Sequence, residues 1–398
     1  MQSLQIKPVY NRQIISSIRI FAICSIVWGH CNAGLEAGTV QNSYDMLLQS
    51  FAIQLGKMGT ILFFIISGLL IQPKINSYTV FGFLRHRFYS TLLPWMIFVV
   101  LLVALIILND EPSRAIIRSG TFWEYLHLTC QLLKNVVLYH SYWFILVFFI
   151  SMITLILFKK YVFNLKMGFI LGLFTLFYGI NLHYGWISVH HTKAFVGYVF
   201  FVWLGIQISK HHLRFILWLD KIGWAVLSFI LMIAIVASGM EGAELTKIGC
   251  ADPYASIRLS NVIASLLLFI CLFKAGEVKA INRLIPDRIV YGIYLLHTAL
   301  LYQQTMLVKL FSSFFLLPHK ILPLIGAQVL NFTFILTTSV ILVKVFYNRK
   351  AIAVRSIIGI FMITTQTRNA FMMSTNRLYR RIKFDLTLSI YFVISTYR

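Results

Sequence analysis

Arg19 and His30 are the two residues of this sequence whose types and spacing best suit chemistry. They lie eleven residues apart in one apolar segment, IISSIRIFAICSIVWGHCNAG. Eleven helical residues return a side chain to within about 20° of its starting direction, so the two would share one helix face about 16 Å apart. A cation and an imidazole inside an apolar span are costly unless they face a bundle interior or a wet cavity. The spacing therefore predicts a functional face.

Two nearby segments carry further polar residues. FFIISG places Ser67 beside a glycine, and small residues at this point allow close helix packing. FLRHRFYSTLLPW carries Arg85 and Arg87 shortly before Pro94. Two arginines at a membrane edge can bind phosphate groups. Taken alone they also suit the common role of cytoplasmic topology residues that contact lipid headgroups.

Two later segments combine aromatic residues with histidine or tryptophan. SYWFILVFF contributes Trp143, and YGIYLLH contributes Tyr294 and His297, which lie three residues apart and so share a helix face. Taken alone, the two aromatic residues suit packing, and His297 suits a hydrogen bond to a neighbouring helix. Together with Ser67 these residues form a candidate substrate path.

The elements that position these residues are predicted to be membrane helices. The chain has 398 residues, of which 59% are hydrophobic and only 12% charged, and its mean hydropathy is +0.81. These values exclude an ordinary soluble domain and predict an all-α polytopic integral membrane protein. The net charge of +23 is carried largely by basic residues in short loops. That distribution orients a membrane protein and does not indicate a nucleic-acid-binding protein.

Hydropathy predicts about ten transmembrane helices in a domain that covers residues 1–346. The predicted spans are about 14–34, 50–72, 91–108, 141–158, 167–183, 193–209, 214–237, 257–274, 288–310 and 321–346. With the N-terminus inside, basic residues fall in inside loops at about 74–87, 159–166, 210–214 and 274–288. Most acidic residues fall outside, among them Asp110, Glu241 and Asp252. The lysine and arginine bias predicts that both termini lie inside.

Three segments lie outside this pattern of spans. TFWEYLHLTCQLLKNVV, in the connection 109–140, and SYTVFGFLRHRFYSTLLPW both have the character of amphipathic surface helices. The tail 347–398 is basic between two short apolar stretches and is predicted to lie on the cytoplasmic surface. Lys57, within the second span, is predicted to extend its ammonium outward.

The ordered motifs resemble those of membrane acyltransferase family 3, the O-acyltransferases of bacterial surface polysaccharides. The matching elements are an R-x10-H first helix, an FF-x-x-SG second helix, a basic cluster before a proline, a W-F pair that opens the fourth helix, and a late G-I-Y-L-x-H segment. The resemblance covers roughly residues 10–346 in order and spacing. Each element alone is unspecific, whereas the ordered set is fairly specific.

The resemblance implies transfer of an acyl group, usually acetyl, from cytoplasmic acyl-CoA to a hydroxyl of an extracytoplasmic glycan or its lipid-linked precursor. It implies that His30 is the catalytic histidine, that Arg19 is its basic partner, and that Arg85 and Arg87 bind the donor acetyl-CoA. Imidazole titrates in the range that a general base needs, and it could instead carry the acyl group itself. The implied location is the bacterial cytoplasmic membrane.

Two features depart from the family pattern. The basic run before the proline ends at Arg87, where Tyr89, Ser90 and Thr91 follow, so donor binding would rest on fewer cations. The tail after about residue 350 has no counterpart in the family pattern. The sequence carries no zinc spacing, Walker loop or dinucleotide fingerprint, and we expect no metal and no nucleic-acid partner.

Two alternatives belong to other functional classes. One is a transporter or flippase for a polysaccharide, lipid or organic anion, with Arg19 and His30 along its path. The lack of a recognisable inverted repeat and the scarcity of intramembrane acids count against it. The other is a polysaccharide-export subunit without activity. Loss of acyl groups without loss of the polymer would distinguish the enzyme from both.

Overall fold

The computed structural model describes residues 12–31, 43–190, 193–310 and 321–347, and every regular element in these ranges is helical. This confirms the all-α prediction. The first eight helices are α1 (Arg12–His30), α2 (Ser43–Ile71), α3 (Val80–Arg87), α4 (Leu93–Asn109), α5 (Glu111–Ser119), α6 (Phe122–Leu138), α7 (Trp143–Leu157) and α8 (Leu165–Tyr184). The remaining helices are α9 (Phe195–Lys210), α10 (His212–Lys221), α11 (Trp224–Lys247), α12 (Leu259–Ala275), α13 (Lys279–Leu284), α14 (Val290–Leu310) and α15 (Ile321–Tyr347).

Each of the ten predicted spans overlaps one long helix. By length and composition, six helical runs in the described ranges can cross a membrane, or seven if the bent pair α6–α7 forms one crossing. Two further apolar helices, α9 and α12, are shorter. The protein is therefore a multi-pass membrane protein. The faces of α8 and α11 agree with this, because large apolar side chains such as Phe169 and Phe229 are exposed there.

The predicted span 214–237 is wrong at both ends. The chain instead forms the short helix α10, breaks at residues 222–223, and continues as α11 to Lys247. Gly223 caps the start of α11 in an extended conformation. Helix α10 buries His212 and Leu219 on one side, and on the other side Leu213, Leu217 and Trp218 are exposed beside charged residues. It therefore has the pattern of an interfacial helix, which a hydropathy window merges with the following span.

The two segments predicted as amphipathic helices are helical. Thr121 and Glu124 form a capping box at the start of α6, with the Thr121 amide donating to Glu124 Oε2 at 2.7 Å. Helix α3 is joined to α4 by one π-helical turn, Phe88–Leu92, and Pro94 lies in the first turn of α4, where proline is tolerated. The predicted tail 347–398 lies outside the described residues except for Tyr347.

Helix α2 is central to the bundle and packs against α1, α9, α11 and α12. Its contact with α9 is made by two glycines. A Cβ atom on Gly68 would lie 2.0 Å from the Val202 carbonyl oxygen, and one on Gly205 would lie 2.0 Å from the Ile65 carbonyl oxygen. The helices therefore touch backbone to backbone, as small residues permit in membrane bundles. This fixes α2, which carries part of the site described next.

Candidate active site

The crossing of α1 and α2 is as close as their backbones allow. A Cβ atom on Gly56 would lie 2.2 Å from the Gly29 Cα atom, so only glycine fits at this point. The residues that follow these glycines, His30 on α1 and Lys57 on α2, line one cavity of about 340 Å³. The close crossing therefore brings an imidazole and an ammonium group to the same space.

Two hydrogen bonds hold the C-terminal half of α1 against α2. Ser25 Oγ donates to the Leu55 carbonyl at 2.7 Å, and the Trp28 indole N–H donates to the Ala52 carbonyl at 2.6 Å. Both acceptors are carbonyls within α2, so the bonds fix the relative position of the two helices rather than the rotamer of one side chain. His30 is exposed at the end of this tightly held segment.

A second wall of the cavity is the turn between α6 and α7, which is fastened to α14. The Tyr294 hydroxyl donates to the Ser141 carbonyl at 2.6 Å, and the Tyr142 hydroxyl donates to the Leu295 carbonyl at 2.8 Å. The hydroxyls of Ser141 and Thr298 are also hydrogen-bonded to each other. Three bonds thus connect the segment that carries Trp143 to the segment that carries His297.

The cavity combines aromatic surfaces with polar and ionisable groups. Trp143 and Tyr294 line it, as does Tyr254 from the loop before α12. Among the described residues, the ionisable groups in its lining, besides tyrosines, are His30, Lys57, His140, His190 and Asp252. Burial lowers the pKa of His140, which lies in the α6–α7 turn outside both helices, so this imidazole is neutral at neutral pH.

His297 is fully buried and packs beside His30, with 5.5 Å between the ring centroids. Its Nδ1 lies 2.6 Å from the Tyr294 carbonyl oxygen. A carbonyl oxygen can only accept, so Nδ1 carries a proton, which leaves Nε2 as the ring nitrogen open to a second contact. Thr298 Oγ1 lies 3.5 Å from that Nε2. His297 therefore supports the ring of His30 and the α6–α7 turn.

Next to the cavity lies a buried polar cluster centred on Arg258, whose side chain is fully buried. Its Nη1 donates to the Ser238 carbonyl at 3.1 Å, and its Nη2 donates to Gln54 Oε1. Gln54 Nε2 in turn donates to Asn261 Oδ1 at 2.7 Å. The guanidinium also lies over the Tyr254 ring, 5.6 Å from its centroid. This Arg258 cluster joins α2, α11 and α12 behind the cavity.

The family model of the acyltransferase domain matches residues 13–347. The chain belongs to membrane acyltransferase family 3. The match includes every helix that contributes to the cavity. Searches of curated proteins and of solved structures each gave no match to this chain.

The structure of the acyltransferase brings together four of the predicted site residues. His30, Trp143 and Tyr294 line the cavity, and His297 packs behind His30. Ser67 does not line it: its hydroxyl donates to the Phe63 carbonyl at 2.7 Å within α2. Phe63 contacts the cavity residue Phe144, with 5.9 Å between ring centroids. Ser67 therefore lies one helical turn beyond the aromatic wall.

Arg19 lies on α1, as predicted, but it does not line the cavity with His30. Its Nη1 forms an ion pair with Asp287 Oδ1 at 2.6 Å, and the two side chains are 26% and 45% exposed. Asp287 begins the short 3-10 turn that precedes α14. The guanidinium thus joins α1 to the start of α14. Its predicted role as partner of His30 stays a prediction.

Arg85 and Arg87 lie in the last turn of α3, Arg85 exposed and Arg87 half-buried. They do not line the cavity. Nearby, Lys159 Nζ donates to the carbonyls of Asn76 and Tyr78 at 3.2 Å and 3.1 Å. The two basic loops around residues 76 and 159 are thereby joined. The candidate donor arginines belong to this basic region and are separate from His30.

Sequence reasoning missed four ionisable residues of the cavity lining, among them Lys57 and Asp252. From the sequence, Lys57 has no predicted role in the site, whereas the structure shows it half-buried and lining the cavity. A lysine near the middle of a span is a functional candidate by default, and that signal was present in the sequence. Asp252 lies in a loop far along the chain, where no local pattern marks it. In the described ranges, no group of three or more His, Cys, Asp or Glu side chains is arranged to hold a metal ion.

Proposed function

We propose that this acyltransferase transfers an acetyl group from cytoplasmic acetyl-CoA to a hydroxyl of an extracytoplasmic glycan or its lipid-linked precursor. Family membership supports acyl transfer, and the resemblance of its motifs to those of surface-polysaccharide O-acyltransferases supports the glycan. The observation that carries the proposal is the position of His30 in a cavity with aromatic walls.

The composition of the cavity suits a sugar ring. Its volume of about 340 Å³ is at the lower end of the range typical of small-molecule sites. Trp143 and Tyr294 offer apolar ring faces, while Ser141, Ser256 and Asp252 offer hydrogen-bond partners for hydroxyls. The face of a pyranose is apolar and its rim is polar, so aromatic and polar groups in one cavity are complementary to it.

His30 has the chemistry to activate the acceptor. A neutral imidazole accepts the proton of the attacking hydroxyl while the ester bond forms, and it returns that proton to the departing thiolate of coenzyme A. The alternative is that His30 is acylated first and passes the group to the hydroxyl. By either route the net reaction exchanges a thioester for an oxygen ester and releases the thiol.

The proposed arrangement in the membrane has ten crossings, formed within residues 1–346, with both termini inside. The distribution of charge supports it, since Arg85, Arg87 and Lys159 then lie at the cytoplasmic end. Arg85 and Arg87 would bind the phosphates of acetyl-CoA there. His30 lies at the other end of α1 and would face the acceptor outside. We place the protein in the bacterial cytoplasmic membrane and the acceptor in capsule, O-antigen or exopolysaccharide.

Proton NMR of the surface polysaccharide tests this function directly. The O-acetyl signals are compared among cells with the gene, cells without it, and cells that express His30→Ala. We expect the signals to vanish in the deletion and in His30→Ala, with normal amounts of the variant in the membrane. The matched control is His127→Ala, because His127 lies exposed on α6 and does not line the cavity.

Three results would contradict the proposal or part of it. Full acetylation in His30→Ala would reject His30 as the catalytic residue. Unchanged acetylation in the deletion, together with lost or altered polymer, would favour the transporter or the export subunit. Acyl signals other than acetyl that depend on the gene would keep the enzyme class and replace the donor.

A further inference from the structure

We propose that Lys57 is a second catalytic residue, whose ammonium group binds the acyl carbonyl oxygen and stabilises the negative charge that forms there during transfer. The inference rests on the proposed function, because it assigns a role within the same acyl-transfer site. It gives this site an electrophilic group to complement the base His30.

The position of Lys57 follows from the α1–α2 crossing. Gly29 and Gly56 touch through their backbones, and His30 and Lys57 are the next residue on each helix. Both side chains line the same cavity. An acyl carbon that is attacked by a hydroxyl bound to His30 must lie in this cavity as well. Lys57 is thus in a position to reach its carbonyl oxygen.

The charges around Lys57 leave its ammonium available to a ligand. Among the described residues, no carboxylate forms an ion pair with it. Within the described ranges, Asp252 is the one carboxylate that lines the cavity, and it forms no ion pair with Lys57. The other nearby cation, Arg258, is fully buried and bonded to Ser238 and Gln54. In the part of the chain that the structure describes, Lys57 is the one lysine or arginine that lines the cavity.

Acyl transfer needs a group that stabilises negative charge on the acyl carbonyl oxygen. When the acceptor oxygen bonds to the acyl carbon, its proton passes to His30 and the carbonyl π electrons move onto the carbonyl oxygen. When the carbonyl re-forms, the carbon–sulfur bond breaks and the thiolate takes the proton from His30. A fixed cation beside the oxygen lowers the energy of the charged intermediate, and loss of one such donor typically costs about 100- to 1000-fold in rate.

Acetyl transfer by Lys57→Met and Lys57→Arg, compared with wild type, tests the inference. Membrane vesicles from cells that make the polysaccharide receive acetyl-CoA labelled in its acetyl group, and label incorporated into the polysaccharide is followed over time. We expect Lys57→Met to be about 100-fold slower or more, and Lys57→Arg to retain far more activity because it keeps a cation. Both variants should accumulate as wild type does.

A double variant separates this role from simple charge balance. If Lys57 merely neutralises Asp252, the variant Lys57→Met with Asp252→Asn should be as active as Asp252→Asn alone, and that result would overturn the inference. If Lys57 binds the oxyanion, the double variant should be slower than Asp252→Asn alone by about the factor that separates Lys57→Met from wild type. A Lys57→Met rate within about threefold of wild type would also overturn it. Should the Met variant fail to accumulate, Lys57→Gln provides the neutral side chain.

The outcomes also separate the inference from the proposed function. Wild-type vesicles that transfer no acetyl group would reject the proposed function and the inference with it. Wild-type transfer that depends on His30 but not on Lys57 would reject the inference alone.

Discussion

The cavity and the Arg258 cluster are adjacent polar regions, and their cations differ in burial and in hydrogen bonding. The Arg258 guanidinium is fully buried and donates to Ser238 and Gln54, which also bonds Asn261. The Lys57 ammonium is half-buried, lines an open volume and forms no ion pair among the described residues. The Arg258 cluster connects three helices, whereas in the cavity the Lys57 side chain faces an open volume.

The difference shows which polar groups hold the bundle together and which face a ligand. A buried polar group that is removed leaves its partners unsatisfied, so the Arg258 cluster must be expensive to disrupt. A cation that faces a cavity has already lost part of its hydration without gaining a protein partner, which favours a functional role over a structural one. Four comparisons between variants test which groups stabilise the bundle and which serve the site, in order of their expected effect on stability.

Arg258→Met should destabilise the protein most, by about 2–5 kcal/mol. It strands the Ser238 carbonyl and Gln54 Oε1 in the interior, and each unsatisfied buried group costs about 1–3 kcal/mol. Thermal unfolding in detergent, followed by circular dichroism, measures the effect. The contrasting variant is Lys57→Met, for which we expect a change of less than about 1 kcal/mol or a gain in stability. Equal destabilisation by Arg258→Met and Lys57→Met would show that the two cations do not differ in their structural role.

Gly56→Ala should cost about 1–3 kcal/mol and lower acetyl transfer at least tenfold. Its Cβ atom meets the Gly29 backbone, which cannot give way as a side chain can, so α1 and α2 must separate and move His30 from Lys57. The control is Gly172→Ala on α8, whose Cβ would make an ordinary 3.5 Å contact with Phe200. It should be neutral or stabilising. Normal transfer by Gly56→Ala would show that the crossing does not position the site.

Arg19→Met should change stability by only about 0–1 kcal/mol, because its ion pair with Asp287 is partly exposed to solvent. If Arg19 serves His30, as the motif predicts, transfer should still fall at least tenfold. Asp287→Asn breaks the same ion pair and keeps the arginine, so we expect most of the activity to remain in it. The measurement is the acetyl content of the polysaccharide by NMR. Equal and small losses of acetyl content in the two variants would indicate that the Arg19–Asp287 ion pair has only a structural role.

Arg85→Ala combined with Arg87→Ala should affect stability least, since Arg85 is exposed and both lie in the last turn of α3. We expect the acetyl-CoA concentration for half-maximal transfer to rise about tenfold, the equivalent of roughly 1.4 kcal/mol of binding. Labelled transfer in vesicles, titrated with acetyl-CoA, measures it. Arg118→Ala on the exposed surface of α5 is the control. An unchanged acetyl-CoA concentration for half-maximal transfer would indicate that the two arginines contact lipid headgroups instead.

Much of the fold could be predicted because hydropathy is a local property. Each predicted span overlaps a helix, and the capping box at Thr121 marks the start of α6 in the sequence. Hydropathy failed where an interfacial helix adjoins a span, as at the break between α10 and α11. A window average cannot separate a half-apolar helix from the fully apolar one that follows it.

The site could be predicted only in part because it depends on contacts between distant residues. His30, Trp143 and Tyr294 belong to motifs that mark them in the sequence, and the structure brings them to one cavity. Lys57 reaches the cavity only because Gly29 and Gly56 cross, and a helix crossing is not visible in either helix alone. Arg258 lies at the very edge of a predicted span, and nothing in the sequence marks it as the fully buried centre of a polar cluster.

The sharp bend between α6 and α7 has a mechanical consequence. The two helices meet at 69°, and the turn between them is bonded to α14 through Tyr142, Tyr294 and the Ser141–Thr298 pair. The same turn carries His140 and Ser141 in the cavity wall. One end of helix α6 is therefore attached to the wall of the site. A tilt of this amphipathic helix would change the shape of the cavity.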